Sequence, residues 1–274
     1  PIEPDTVQHL FQNSSQTAGM YGNFNFLGGI GSPRINRIYD GRQDFMMGSQ
    51  FIFTKPYSFF LFPNSKFVFT NTKSPIADLY YYSSGDKTDG DDHFKARFAT
   101  NINKQAGIGF DIDYIYARGF YRNQSHSSFG ATLYGSYRGD QYQLHSFYTT
   151  GYTKNLENGG IEDENYINNP ENFPTTYRPA DMPMRLEGVR NNVSIDKFFL
   201  THRYSMGFYE KSDSTGRIVS RSLKATSDTT TNRKSTKLVD PKGNIIPDSL
   251  LITKFVPVAS IIHTANIESN YRTF

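Results

Sequence analysis

A chain of 274 residues is long enough for one all-β domain and does not require two. Only 36% of it is apolar, yet it holds 23 Phe and 19 Tyr, with 29 basic residues against 26 acidic. No run approaches the roughly 18 apolar residues of a membrane-spanning helix, the charge balance argues against a nucleic-acid partner, and the absence of cysteine excludes disulfides, thiolate metal sites and a cysteine nucleophile.

In chain order, residues 1–19 are polar and read as an irregular segment opening on Pro1-Ile2-Glu3-Pro4. With neither an initiator Met nor a charged and apolar leader, that start suggests a removed signal peptide or an excerpt of a longer chain. From residue 20 onward the expectation is a continuous set of strands. Met20 to Ile30 reads as a first strand, with Phe24 and Phe26 alternating with Asn23 and Asn25. Pro33 to Gln50 reads as a charged connection, and Phe51 to Phe62 and Phe67 to Tyr82 as two aromatic stretches interrupted by Pro56, Pro63 and Pro75.

Phe94 to Tyr152 carries the clearest signal. Four runs alternate strictly: Phe94, Ala96 and Phe98 against Lys95 and Arg97; Ile108, Phe110 and Ile112 against Asp111 and Asp113; Phe129 and Leu133 against Thr132 and Arg138; Tyr142 and Leu144 against Gln143 and His145. A period of two over about ten residues, repeated between turn signals, is the signature of a transmembrane β-barrel wall. Tight turns at 103–106 and 138–140 alternate with longer loops at 83–92, 118–127 and 155–192, as in outer-membrane meanders. On that pattern Asp86, Asp89, Asp91 and Asp92 face the exterior. A strand follows from Ile195 to Tyr209, then a polar tract over 211–249 that strict alternation would have made short, and a last strand from Phe255 to Ile267. Counting back by twos from Phe274 meets Arg272 and Asn270, so the end does not resemble a closing barrel strand, and further strands are expected.

Several stretches resemble one family. Residues 63–76 (Pro-Asn-Ser-Lys-Phe-Val-Phe-Thr-Asn-Thr-Lys-Ser-Pro-Ile) with Leu79-Tyr80-Tyr81, then Gly107-Ile108-Gly109-Phe110-Asp111-Ile112, Arg118-Gly119-Phe120-Tyr121-Arg122-Asn123-Gln124, Glu157-Asn158-Gly159-Gly160-Ile161 and 255–264 are together similar to the putative porin family of Bacteroidota outer membranes. The resemblance is order-preserving from about Gly22 to Thr264. It implies an antiparallel transmembrane β-barrel, here as a partial chain, and a pore. It transfers no catalytic residue and no cofactor.

The barrel reading assigns roles by phase. Lys95, Arg97, Asp111, Asp113, Arg138 and His145 are the pore-lining candidates, where charges of both signs would bias which solutes pass. The bland alternative is the wet face of a soluble sheet. Phe94, Phe98, Ile108, Phe110, Ile112, Phe129, Leu133 and Leu144 are the lipid-facing candidates. Tyr80-Tyr81-Tyr82 and Tyr114 with Tyr116 read equally as an interfacial girdle or as cross-strand aromatic pairs. The acidic run 86–92 lacks the spacing of a calcium loop, the six histidines lack metal-binding spacing, Gly135-Ser136-Tyr137-Arg138-Gly139 is no nucleophile elbow, and Gly28-Gly29-Ile30-Gly31 lacks the rest of a dinucleotide fingerprint. The expected function is passive diffusion of small hydrophilic solutes through an outer-membrane porin, with lipid as the other partner and a homo-oligomer left open. A plugged receptor or adhesin barrel, or a soluble extracellular β-sandwich binding polysaccharide or protein, are the alternatives.

Overall fold

The computed structural model describes residues 14–15, 19–20, 22–26, 29–40, 42, 51–57, 67–85, 90–173, 178–212, 218–223 and 252–274. Its strands are β1 (Ser14–Ser15), β2 (Gly19–Met20), β3 (Phe24–Phe26), β4 (Arg34–Asn36), β5 (Ile76–Ser84), β6 (Asp91–Asn101), β7 (Ala106–Arg118), β8 (Ser125–Arg138), β9 (Tyr142–Glu157), β10 (Val189–Ser212), β11 (Ile218–Ser222) and β12 (Ile252–Thr273). β5 to β10 form an antiparallel meander in which each strand pairs with its sequence neighbour, and β12 adds to the free side of β10. The alternating runs build β6 to β9, because a period of two sends the residues of one phase to one side of the sheet.

The N-terminal part departs from expectation. Among the described residues, Phe24–Phe26 pairs only with Arg34–Asn36, in a small hairpin outside the meander's ladder. The Pro33–Gln50 connection therefore contains a short strand. The aromatic stretch 51–62 yields a 3-10 helix at Ile52–Tyr57, its remainder lying outside the described residues, and in the stretch 67–82 strand pairing starts only at Ile76, just after Pro75. Proline cannot donate to a ladder, which fits a strand beginning immediately beyond it. Asp91 and Asp92 open β6. Asp86 and Asp89 lie outside the described residues.

The last strands are longer than the alternation alone indicated. β10 runs 24 residues and β12 runs 22. Their far ends continue past the turn that joins β8 to β9, where β11 folds back onto Tyr209–Ser212. A bulge between Met206 and Gly207, opposite Pro257, bends this ribbon, and any Cβ at position 207 would collide with the Val256 carbonyl.

One side of the sheet is aromatic and aliphatic. Across β5 to β9 the register aligns Tyr81, Phe94, Tyr114, Phe129 and Tyr152 in a single row. Tyr81 and Tyr114 each stand across from Phe94, and the Phe129 and Tyr152 rings are stacked at 5.8 Å. The apolar stretch on this side does not follow the hydrogen-bonded row. Ile112, central on β7, is in register through Ala131 and Thr150 with Asp196 on β10 and Ser269 on β12. On β10 the apolar residues of this side are Phe198, Leu200, Tyr204 and Met206, centred at position 202, and on β12 they run from Ala259 to Ile267, centred at 263. The stretch has moved six residues along the strands by β10, three strand steps from β7, and moves no further at β12, where His263 is in register with His202. His202 and His263 sit at those centres, Nδ1 of His263 lying 3.3 Å from Nε2 of His202, while Nδ1 of His202 is buried without a hydrogen-bond partner.

Candidate functional site: the charged face and its strap

The opposite side carries the charges in two transverse rows. One runs Asp78, Arg97, Asp111, Thr132, Thr149, Lys197 and Glu268 from β5 to β12. The next runs Tyr80, Lys95, Asp113, Gly130, Gly151, Ile195 and Asn270. Alternation places these residues together, and register converts them into ion pairs. Arg97 is bidentate on Asp111, Nε to Oδ1 at 2.7 Å and Nη2 to Oδ2 at 3.3 Å. Lys95 Nζ lies 3.2 Å from Asp113 Oδ2, His93 Nε2 lies 2.8 Å from Asp113 Oδ1, and Lys197 Nζ lies 3.6 Å from Glu268 Oε2. The Asp111 and Asp113 side chains are 18% exposed, whereas Arg97 and Lys95 are 52% and 48% exposed, so the cations lie over the carboxylates.

Between the two flanks the rows hold Thr132 and Thr149, whose hydroxyls are 2.8 Å apart, and the paired glycines Gly130 and Gly151. A Cβ at Gly130 would meet nothing within 4 Å. The missing side chains leave a hollow lined by the ion pairs, the threonines, Ile195 and Lys197.

On both sides of this hollow the N-terminal segment lies against the same face, as a strap. Ile30 is inserted between Ile115 and Ala117, with Tyr82 beside it, and its N–H donates to Asp91 Oδ2 at 3.3 Å. The approach is so close that a Cβ on Gly29 would stand 2.7 Å from that of Ala117, and Gly31 adopts φ +80° over the His126 ring. Tyr57 stacks on His126 at 5.9 Å and accepts a hydrogen bond from Asn155 Nδ2, while Asn155 Oδ1 contacts His126 Nδ1. Burial, reinforced by nearby Glu157, pushes the Tyr57 phenol up to about 12. Phe53 lies under the Arg272 guanidinium, 4.1 Å away. Toward the short turns, Phe67 packs 4.6 Å from Phe147 and 5.1 Å from Tyr134, Thr70 Oγ1 lies 3.2 Å from the Tyr134 hydroxyl, and Asn101 Nδ2 donates to Asn71 Oδ1 at 2.6 Å.

Of the six charged candidates, the structure brings together Lys95, Arg97, Asp111 and Asp113. Arg138 and His145 share their face but sit near the β8–β9 turn, and His145 lies 5.0 Å from Phe69 of the strap. Phe94, Phe98, Ile108, Phe110, Ile112, Phe129, Leu133 and Leu144 all project to the other side, and Leu133 is 56% exposed. Sequence reasoning missed Asp78, Lys197, Glu268, the glycine pair and the strap. A signal for the strap was present. Ile115, Ala117, Tyr134 and Phe147 are apolar or aromatic residues in the polar phase, all under 5% exposed, and Ile30, Phe67 and Phe69 pack on them.

Among the described residues, no group of three or more His, Cys, Asp or Glu has metal-site geometry. No curated protein and no solved structure matches the chain. A family model described as "Putative porin" matches residues 1–274, the full span of the sequence, and the chain belongs to that family.

Proposed function

We propose that this chain forms wall strands of a bacterial outer-membrane β-barrel whose charged face lines an aqueous lumen, through which small hydrophilic solutes diffuse passively. Family membership supports a barrel and a pore. The observation that carries the reading is the two-sided sheet, with ion pairs and hydroxyls in register on one face and exposed aromatic and aliphatic side chains on the other. Membrane barrels need that arrangement, since lipid accepts the apolar phase and water the polar one. A soluble sandwich would instead bury its apolar face under a second sheet, against which Leu133 and Leu79, 56% and 73% exposed, argue directly. The oblique apolar stretch adds independent support. Six residues at about 3.3 Å each over three to four strand steps of about 4.8 Å correspond to a tilt of about 45–55°, at or just above the tilt of strands in membrane barrels.

The strap favours a second reading, a barrel whose lumen is partly plugged. Planar-bilayer conductance of the full-length protein across a salt gradient tests both. Stepwise ohmic channels with a reversal potential are expected of the pore; a folded, heat-modifiable barrel that carries no current would replace it with a plugged receptor or adhesin.

A further inference from the structure

We propose that the hollow over Gly130 and Gly151 is a binding subsite for a neutral, polyhydroxylated solute of sugar-ring size, a proposal that rests on reading the charged face as the lumen. The described parts of the strap contact the face above and below, and none of them lines the hollow between those contacts. Most charges around the hollow are matched, Arg97 with Asp111, Lys95 with Asp113 and Lys197 with Glu268, while Asp78, also on its lining, stands opposite Arg97 in register. A solute ion of either sign would have to compete with one member of a pair and leave the other uncompensated, which costs more than the new contact returns in a partly desolvated site. A hydroxyl needs no such exchange. It donates to a carboxylate lone pair and accepts from a guanidinium or ammonium N–H left open by the ion pair, and hydrogen bonds to charged partners are the stronger kind. Thr132 and Thr149 add two more groups of the same dual character at the centre. The glycine pair supplies a floor without side chains, and Ile195, 3% exposed, lies beside it.

The test uses three probes with one ring and three charges: glucose, glucuronate and glucosamine. Binding is measured by equilibrium dialysis on the full-length protein in detergent, and separately as concentration-dependent reduction of single-channel current. Glucose should bind and reduce current more strongly than either charged analogue. Gly130→Leu, whose Cβ would meet nothing within 4 Å, and the double substitution Thr132→Val with Thr149→Val should each weaken glucose binding by about tenfold or more, with heat-modifiable folding retained. Tighter binding of glucuronate or glucosamine, or unchanged glucose binding in a folded Gly130→Leu variant, would overturn the proposal. Channels that open normally while dialysis detects no glucose binding would remove the subsite and leave the pore. Glucose binding by a protein that opens no channel would keep the subsite and remove the passive pore.

Discussion

At the scale of single residues, Asp111 and Asp113 matter as much for what they neutralise as for their own charge. Each is largely covered by the cation it pairs with, so the solvent above these rows meets guanidinium and ammonium first. Asp111→Lys combined with Asp113→Lys removes two negative charges, adds two positive ones and frees Arg97 and Lys95. Reversal potentials in a salt gradient should move toward anion selectivity with the barrel still folded, and unchanged potentials would take these residues out of the conduction path. The opposite face responds differently to the same kind of charge. Leu133→Arg should destabilise the refolded protein in lipid by about 2–4 kcal/mol, the cost of a cation facing the bilayer midplane, as read from urea titration in vesicles. A cost near zero would mean that Leu133 does not meet lipid.

Among the elements, the strap is the least sequence-like and the most testable. Gly31→Val would force a side chain into the His126 ring at a positive φ, so the segment should lift from the face and single-channel conductance should rise. A conductance equal to wild type would show that the strap does not obstruct the lumen. Tyr57 gives the same contact a pH dependence. Its phenol titrates near 12 in place against about 10 when free, so the docked state is fully favoured below pH 10 and loses that advantage as pH climbs toward 12. Protease access to the segment should increase over that window in the wild type, and Tyr57→Phe should abolish the step. The four alternating strands were legible because each repeats one simple period, and their register followed from the need to keep the alternating apolar phase on one side. The strap was not, because its contacts join residues far apart in the chain, 98 positions between Tyr57 and Asn155 and 219 between Phe53 and Arg272, and no local period encodes them. Its imprint lay instead in departures from the pattern: Ile115 and Phe147 are apolar where a water-lined wall would be polar. Lys197 and Glu268 escaped for a related reason. They enter the charged row only through pairings across the long 158–188 connection and across the tract after β10.

For the molecule as a whole, the tilt of the strands explains a feature that alternation of short and long connections left without a cause. If the apolar stretch is level in the bilayer, then β10 and β12 must each be displaced along their length relative to β7, and their 24 and 22 residues supply that displacement. Positions 190–196 of β10, which carry Arg190, Asn192, Ser194 and Asp196 on the aromatic side, then stand clear of hydrocarbon, while Phe198 to Met206 cross it. Asp196 at that boundary accepts a hydrogen bond from the Tyr148 hydroxyl at 3.0 Å, a partnership suited to the interface between headgroups and lipid tails. The arrangement predicts a depth profile along one strand. Nitroxide labels placed singly at Asn192, Asp196, Leu200 and Tyr204 in reconstituted vesicles should pass from high accessibility to a water-soluble relaxant at the first two sites to high accessibility to oxygen at the last two. A sheet lying level, with its hydrogen-bonded rows parallel to the membrane, would instead put Asp196 at the same depth as Ile112. Equal oxygen accessibility at those two positions would reject the tilt and, with it, the assignment of β10 and β12 to the same barrel wall as β7.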